Sequence, residues 1–466
     1  SSQRWRNQLS ATYLRSDGYQ RSKAGSLNSD YRTAKAFYQG QYDDPNVALR
    51  WQAGLSSKDY GSNTYYSARF DDQFEHTLKT FLSLKGENRS GLLHFRPAIY
   101  WNHQEDRFEL IRGSEAKVPY NYHRTEVFGL NLNAYFDWTL GRTAFGAEMR
   151  NEDILSTNLG DPLDRKHAIH GTERFYTNGL NRTNLQLFLE HNIALGPLFV
   201  SAGLTAAKNT QADMDWRVYP GLDVSLRLDR HWQAFANFNT SLRMPSFTEL
   251  YYSVGGHKAD RHLKPEELSA VEGGLRYTSR AIEAKASVFY NRHRNLIDWI
   301  SDGETDETGG TLWKSVNFGH IKALGVQASL QANMRQLLPG QHFFDRFSLG
   351  YTWLNQRENL PEGIVSQYAL EYLKNKFSAQ ADFRLPQLAL RVGYRMQHRM
   401  GSYLDADNVR HSYASYGVLD ARLQWSEPRW YAYVEGNNLL DKEYRDYGNV
   451  AQPGVWVVAG VAVKIF

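Results

Sequence analysis

Apolar and polar side chains alternate with a period of two along most of this chain. In the segment 127–138, Phe128, Leu130 and Leu132 lie on one face of an extended strand. Asn131 and Asn133 lie on the opposite face. Because successive side chains of a strand point to opposite sides, this pattern predicts strands with one face in hydrocarbon and the other in water. Helical spacing is almost absent.

The same alternation recurs in segments spread over the whole sequence. They are 47–55, 185–189, 198–204, 222–228, 232–238, 282–288, 324–330 and 388–396. A tilted strand of about ten residues is long enough to cross a bilayer, whereas strands of soluble sandwiches are usually shorter. The pattern therefore predicts an all-β fold, a transmembrane antiparallel β-barrel.

The connections between these segments are of two kinds. Short polar connections are predicted at 43–46, 140–142, 195–197 and 426–428, and long loops at 151–182, 243–265 and 295–320. Short turns at one rim and long loops at the other are typical of outer-membrane barrels. At roughly twenty residues for each strand with its connection, the chain holds about 22 strands. A barrel of that width either forms an open channel or holds a plug.

No linker or change of composition divides the sequence, so we expect residues 1–466 to form one barrel domain. A soluble propeller is the main alternative. Propellers repeat a blade every ~40 to 50 residues, and no such repeat is present. The low mean hydropathy does not argue against a barrel, because only half of each strand meets lipid.

Composition excludes several classes of protein. The longest uncharged apolar stretch, 455–463, is shorter than the ~18 residues of a spanning helix. The absence of Cys excludes disulfides, thiolate zinc sites, iron–sulfur clusters and cysteine nucleophiles. The net charge of +4 is small, and charged residues of neither sign form a long block, so binding to nucleic acid is not expected. The 29 Tyr, 23 Phe and 12 Trp fit aromatic girdles and a binding surface.

Enzyme chemistry has little support in the sequence. There is no nucleophile elbow of a serine hydrolase and no glycine-rich loop that would cradle a phosphate. The two carboxylates of a glycoside hydrolase are not excluded, but no pattern points to them. We expect a protein that is not an enzyme.

Several segments, in order, resemble those of TonB-dependent outer-membrane receptors. They are 242–252, 263–266, 316–327, 416–423, 434–444 and 453–456, followed by the terminal Phe466. Lys464 and Val455 depart from the family's usual residues at those places. The resemblance implies a 22-stranded barrel in the outer membrane of a Gram-negative bacterium, surrounded by lipid and lipopolysaccharide, that imports a scarce nutrient with energy delivered by TonB.

Within that family, four segments resemble cobalamin receptors: 16–19, 61–67, 99–102 and 368–376. This resemblance implies uptake of cobalamin or another corrinoid, with a surface lipoprotein as a possible partner. A ferric siderophore receptor, a haem receptor and a passive plugless pore are the alternatives.

Members of the family carry an N-terminal plug domain and a short box that engages TonB. This sequence opens in a predicted strand at 5–13, so we expect the plug to be missing from this chain. A barrel fragment or a plug on a separate chain is favoured over a plugless pore.

A receptor for a bulky chelate needs a partly apolar, aromatic bowl with scattered hydrogen-bond donors. The candidate ligand-binding residues are Tyr65, Tyr66, Phe70, Trp101, Tyr251, Tyr252, Trp299 and Trp313. For each of them, a place in a lipid girdle or in loop packing is the alternative.

The sequence gives less support for metal ligands than for an aromatic binding surface. Haem would need an axial ligand, and the histidines predicted in loops are His103, His123, His167, His170, His257 and His262. Two acidic groups could bind calcium: Asp302, Glu304, Asp306 and Glu307, and the pair Asp71 and Asp72. Neither acidic group has the spacing of an EF-hand, so solvated loops are the preferred interpretation. We predict no cofactor and no dedicated metal site.

Overall fold

A computed structural model describes residues 4–21, 25–26, 28–67, 69–211, 214–307, 309–358, 363–367, 371–407 and 409–464. Phe466 and residues 368–370 of the family-like segments lie outside this part of the chain. No helix in the described part is both long and apolar enough to span a membrane.

Most of the described residues belong to strands. The elements are β1 (Trp5–Ser16), β2 (Gln20–Arg21), β3 (Gly25–Ser26), β4 (Tyr31–Asp43), β5 (Val47–Asn63), β6 (Gln73–Asn88), β7 (Leu93–Glu109), β8 (Asn121–Trp138), β9 (Gly141–Ser156), β10 (Asp161–Ala168), β11 (Phe175–Leu195), β12 (Leu198–Asn209), β13 (Met214–Arg227), β14 (Trp232–Arg243), α1 (Phe247–Tyr251), β15 (His257–Lys258), β16 (Glu266–Thr278), β17 (Ile282–Ser301), β18 (Trp313–Asn333), α2 (Met334–Leu337), β19 (Phe344–Glu358), β20 (Val365–Ser366), β21 (Leu373–Arg384), β22 (Leu388–Arg399), β23 (Ser402–Leu404), β24 (Arg410–Ser412), β25 (Tyr416–Ser426), β26 (Trp430–Asn437) and β27 (Trp456–Val463).

One sheet of 23 strands forms the body of the protein. Most of these strands pair antiparallel with the next long strand along the chain, from β1 and β4 to β26 and β27. Three short strands join at the loop ends: β10 beside β11, β15 parallel to β18, and β20 beside β17. The predicted all-β, antiparallel fold is confirmed, and about 22 strands is close to the number found.

The two ends of the sheet approach each other at one rim. The hydroxyl of Tyr19, just after β1, donates a hydrogen bond to the carbonyl oxygen of Ala451, just before β27, at 2.7 Å. Nearby, the ring centroids of Tyr65 and Tyr447 are 5.4 Å apart. Within the described residues β1 and β27 do not pair, so the closed ring of the prediction is not seen as a hydrogen-bond ladder.

Short connections and long loops lie at opposite rims. All four predicted short turns join consecutive antiparallel strands at the same rim, called here the turn rim, and the long loops form the loop rim. Two loops are shorter than predicted. Most of 151–182 belongs to β9, β10 and β11, and only 302–312 lies outside strands in 295–320. These strand ends mix buried apolar residues, such as Ile297, Trp299 and Phe318, with polar ones and do not alternate strictly, so a period of two did not reveal them.

The sheet has one apolar and one polar face. On β11, Leu187 and Leu189 are 49% and 51% exposed, and they alternate with Gln186 and Glu190 on the other face. A continuous exposed apolar band is stable only against hydrocarbon. We call the face with this band the outer face and the opposite, polar face the inner face.

Glycines on one strand lie under aromatic rings of the neighbouring strand. A Cβ added to Gly129 would lie 2.0 Å from Cζ of Tyr100, and one added to Gly54 would lie 2.2 Å from the Phe81 ring. Similar pairs are Gly40 with Trp51, Gly146 with Phe188, Gly274 with Phe235, Gly325 with Phe289, Gly417 with Tyr394 and Gly460 with Tyr433. In each pair the missing side chain lets a ring cover the neighbouring strand, which stabilises the pairing of the two strands.

Buried apolar side chains gather at the loop rim. The four clusters in the described residues are centred on Tyr122, Met214, Leu250 and Ile321. Each cluster packs a loop or a polar strand end against the wall. The packed core therefore lies at the loop rim, where it can position a binding surface.

Replacing Gly129 with Ala should destabilise the sheet, because the new methyl group occupies the place of the Tyr100 ring. Overpacking of this kind costs about 1–3 kcal/mol. We expect the Gly129→Ala protein to lose its compact gel mobility at a lower temperature than the parent protein.

Gly393→Ala is the matched control, because no heavy atom lies within 4 Å of a Cβ added at this strand glycine. Its transition temperature should equal that of the parent. Equal transitions for both variants would contradict the proposed role of the ring.

Candidate binding site at the loop rim

The loop between β14 and β16 begins with a short, well-defined helix. Pro245 lacks a backbone N–H and cannot continue the strand ladder. Ser246 then caps α1: its hydroxyl accepts from the Glu249 N–H at 3.2 Å, and the Glu249 carboxylate accepts from the Ser246 N–H at 2.6 Å. Arg243 binds both Glu249 and Glu266, at 2.9 and 2.7 Å. The sequence between Arg243 and Glu249 thus specifies its own turn.

Arg182 of β11 holds this turn against the wall. Its side chain is buried, and Nη1 donates to the Pro245 carbonyl oxygen at 2.7 Å. The guanidinium also lies 4.4 Å from the Phe247 ring centroid and pairs with the Glu152 carboxylate. A buried charge needs such partners, so these contacts fix the position at which the loop leaves the wall.

The loop then bends back over the rim. Gln211 Nε2 donates to the Tyr251 hydroxyl at 3.2 Å, and the Arg261 guanidinium lies 4.9 Å from the Tyr251 ring centroid. Arg261 in turn pairs with Asp161 at 2.7 Å. Burial raises the pKa of the Tyr252 hydroxyl, although a hydrogen bond from Asn121 opposes the shift. Because Asn121 begins β8, the loop reaches back across several strands.

The structure brings four predicted residues together in what we call the Trp299 cluster: Tyr252, His257, Trp299 and Trp313. The His257 ring lies 5.5 Å from Tyr252 and 5.1 Å from Trp299. The backbone N–H of Trp313 donates a hydrogen bond to the carbonyl oxygen of Gly256 at 2.8 Å. Trp299 is only 7% exposed, so it supports the cluster from below. Burial lowers the pKa of His257, which favours the neutral imidazole.

A second group, the Tyr65 cluster, consists of Tyr65, Tyr66, Phe108 and Tyr447. Tyr65 packs edge-on against Tyr66 at 4.9 Å, and Tyr66 packs against Phe108 at 5.0 Å. Tyr65 and Tyr66 are each 51% exposed. This cluster therefore offers accessible ring faces where the first and last loops of the sheet meet.

Gln73 shapes the loop that carries Tyr65 and Tyr66. Its side chain is fully buried, and Oε1 accepts from the Tyr66 N–H at 3.0 Å. Its Nε2 donates to the carbonyl oxygens of Ser67 and Phe70, at 3.0 and 2.8 Å. Phe70 is exposed beside them but makes no ring contact among the described residues. Sequence reasoning missed Gln73, because a single polar residue at a strand start carries no signal.

Trp101 lies apart from both clusters. It shares the outer face of β7 with the exposed side chains of Phe95 and Ile99. Its Nε1 donates to the Glu126 carboxylate at 2.9 Å, and His103 binds the same carboxylate at 2.7 Å. Its cross-strand partners are the exposed Leu82 and Phe128, so the structure places Trp101 in the apolar band and outside the loop-rim clusters.

The histidines occupy varied places, and the prediction that all lie in loops was wrong for four of them. His103 lies within β7, His123 within β8 and His167 within β10, because those strands extend beyond their apolar segments. His257 lies in the two-residue strand β15. His123 Nδ1 is 2.7 Å from the Ser156 hydroxyl. His170 and His262 are exposed in loops.

The acidic loop residues have partners within the chain. Lys314 binds Asp302 at 2.8 Å and Glu304 at 2.9 Å. Asp306 accepts from the Gly310 N–H at 2.8 Å. Over the described residues, no three His, Asp or Glu side chains gather in a group suited to a metal ion. Calcium binding at Asp302, Glu304, Asp306, Glu307, Asp71 or Asp72 stays a prediction.

The loop rim thus combines exposed aromatic faces with phenol hydroxyls and neutral amide groups. Such a surface can bind a bulky ligand by ring contact and hydrogen bonding. The strongest charges near it, those of Arg182, Arg243 and Arg261, are already paired with carboxylates. They hold the loop in place.

Comparison with known protein families gives one match that covers most of the chain. Residues 3–439 match the family described as TonB dependent receptor-like, beta-barrel. This match covers nearly the whole of the sheet described above, including both clusters except Tyr447.

Solved structures with a similar fold include transporters of several metals. The FrpB iron transporter from Neisseria meningitidis (F5-1 variant) has a TM-score of 0.76 and 14% identity, over 99% of this chain and 78% of that one. The copper transporter OprC has a TM-score of 0.75 and 13% identity, over 99% and 75%. The siderophore receptor PirA from Pseudomonas aeruginosa has a TM-score of 0.71 and 13% identity, over 99% and 74%. At these identities the likeness is one of fold.

A buried carboxyl group connects three further loops at this rim. The Tyr413 hydroxyl donates to Glu371 Oε2 at 3.1 Å and accepts from the Gly448 N–H at 2.9 Å. Burial raises the pKa of Glu371 from its ordinary 4.5 to about 6, while the hydrogen bond from Tyr413 opposes that shift. Sequence reasoning missed this group, since its members are far apart in the chain.

The stability of this connection should depend on pH. Because the folded-state pKa of Glu371 is raised, its favourable contribution is complete below pH 4.5 and is lost as the pH rises through about 6. We expect the hydrogen-exchange protection factor of the Gly448 amide to fall by about tenfold between pH 4.5 and pH 7, since one pKa unit corresponds to tenfold.

Glu371→Gln should abolish this pH dependence, because the amide resembles the protonated carboxyl. Glu443→Gln, which changes an exposed carboxylate in the same loop as Gly448, should leave it intact. A protection factor that is equal at both pH values in the parent protein would contradict the prediction.

Proposed function

Because this chain belongs to the TonB-dependent receptor β-barrel family, we propose that it binds a bulky metal chelate at the loop rim and takes part in its TonB-coupled uptake. The family is one of the Gram-negative outer membrane, with receptors and transporters as its members. The observation that carries the proposal is the exposed Tyr65 cluster at the meeting point of the first and last loops.

The chemistry of recognition follows from the side chains at the rim. Tyr65 and Tyr66 offer half-exposed ring faces, which bury apolar ligand surface at little cost in side-chain entropy. Tyr252 and His257 add a second aromatic group, in which the largely buried Trp299 packs edge-on against His257. As in a family of receptors and transporters, we infer that the protein binds and moves its cargo without changing it chemically.

Arg182 and Arg243 serve the same site indirectly. Both hold the α1 turn, and through it the loop that carries Tyr251 and Tyr252. A ligand that contacts both aromatic clusters would bridge loops from distant parts of the chain. Such bridging would couple cargo binding to the arrangement of the rim.

Two cargo classes have separate support. The likeness of segments 61–67 and 99–102 to cobalamin receptors favours a corrinoid. The position of Trp101 on the outer face weakens that case for segment 99–102. A ferric siderophore is the second candidate, because siderophore, iron and copper proteins stand among the solved structures of similar fold. Haem is the third, and the described residues give it no support beyond the presence of loop-rim histidines such as His170 and His262.

Truncation of the two exposed tyrosines should weaken cargo binding. In Tyr65→Ala with Tyr66→Ala, the loss of two ring faces should raise the Kd by on the order of tenfold or more, since each aromatic contact contributes about 0.5–1.5 kcal/mol beyond its area. Binding is measured with cyanocobalamin, a ferric siderophore and haem in parallel.

Phe343→Ala is the control, because Phe343 is a comparably exposed aromatic residue at the turn rim. It should leave the Kd unchanged. Unaltered binding in the double variant, with compact gel mobility retained, would remove the Tyr65 cluster from the site. Saturable binding of one ligand alone would identify the cargo class.

The protein made from its complete gene should be nearly silent in planar bilayers, as expected of a gated receptor. A passive pore of this width would give a large, steady current. The measurement is single-channel conductance, with a general porin as the positive control. A steady open current would favour the pore over active uptake.

A further inference from the structure

We propose that Arg292, Lys322 and Arg357 form a binding site for a phosphate-bearing lipid headgroup on the outer face. These residues belong to the neighbouring strands β17, β18 and β19. The proposal requires that the apolar band lies in a bilayer, and it is independent of the cargo.

Strand register places the three cations side by side. Arg292 is the cross-strand partner of Lys322, and Lys322 is the partner of Arg357. Partners directly opposite each other lie on the same face of a sheet, and neighbouring strands are about 4.8 Å apart. The row therefore presents three positive charges within about 10 Å.

The row lies at the edge of the apolar band. One step toward the turn rim, the corresponding partners are Tyr290 and Leu324, which are 41% and 43% exposed. Beyond them follow Val288 and Val326, also partners. On β19 the residue opposite Leu324 is Asn355, and from Val288, Val326 and Trp353 onward the outward residues of the three strands are apolar or aromatic. The three cations therefore occupy the level at which hydrocarbon ends and headgroups begin.

The described part of the chain supplies no acidic partner for these cations. Among the described side chains, none of the three makes an ion pair, and the Nε of Arg292 is buried without a hydrogen-bond partner. The partner of Arg292 on its other side is Ser269, which is neutral. Glu267, one row nearer the loop rim, is bound by Arg217 at 2.8 Å.

Charges elsewhere on the sheet are arranged differently. On the inner face, Arg391 pairs with Asp382 at 2.7 Å and Arg422 with Glu435 at 3.3 Å. Like charges directly opposite each other destabilise a sheet. Three unpaired cations in one row therefore point to an anion supplied from outside the chain.

A lipid phosphate fits this place better than a free anion. The long loops of such barrels face the outside of the cell, so the row lies in the headgroup layer of the outer leaflet. A phosphate attached to acyl chains would contact the cations while its chains cover Leu324 and Val288. Guanidinium groups bind phosphate oxygens in bidentate fashion, and Lys322 adds a point charge.

The test uses native mass spectrometry of the full chain in detergent with dioleoylphosphatidic acid. A charge near a lipid surface contributes about fivefold in affinity, so the variant R292Q/K322Q/R357Q should bind this lipid at least tenfold more weakly than the parent. Dioleoylglycerol, which lacks the phosphate, should bind neither protein. Inorganic phosphate should not displace the bound lipid.

The control variant R50Q/K85Q/K376Q removes the same charge from the inner face and should bind phosphatidic acid like the parent. Compact gel mobility verifies folding, and Lys322→Glu alone, at an exposed position, provides a milder variant that should also lose lipid. Equal binding by the parent and the triple variant would overturn the proposal, as would displacement by inorganic phosphate. Cargo affinity of the triple variant should be unchanged, which separates this site from the loop-rim site.

Discussion

The ladder of hydrogen bonds between neighbouring strands is the interaction on which the rest of this structure depends. Within hydrocarbon no water is present to satisfy backbone N–H and C=O groups, and each unpaired group costs several kcal/mol. The long antiparallel strands satisfy these groups in one continuous sheet. Their register then decides the face of every side chain, because a slip of one residue would exchange the apolar and polar faces. The apolar band, the polar inner face and the row of Arg292, Lys322 and Arg357 all follow from it.

The loop rim is held by a different set of interactions. There the strands no longer alternate, and contacts come from residues far apart in the chain, such as Tyr19 with Ala451 and Arg182 with Pro245. Buried charges and amides there have hydrogen-bond partners. The amide of Gln73, for example, bonds backbone groups of the loop that it supports. A rigid wall with loops fixed on it is a common basis for binding, because the wall limits the number of positions open to the loops.

Two surfaces of the protein thus differ in the chemistry that they offer to partners. The loop rim offers neutral aromatic groups and paired charges, which suits a bulky chelate that must bind and later leave. The outer face offers an apolar band and unpaired cations at its edge, which suits lipid. Glycine and aromatic pairs such as Gly129 with Tyr100 join the strands between these surfaces.

The sequence by itself determined the strands, their two faces and the short turns, because a period of two and a turn signal are local properties. The likeness of several segments to TonB-dependent receptors also agrees with the family match. Only the tertiary structure decided which aromatic residues meet. Tyr65 packs against Tyr447, and His257 packs against both Tyr252 and Trp299, whereas Trp101 faces outward. Alternation tells which side of a strand a residue occupies but not its height above the membrane. Contacts between distant loops depend on how the whole sheet curls, and no local pattern records that curvature.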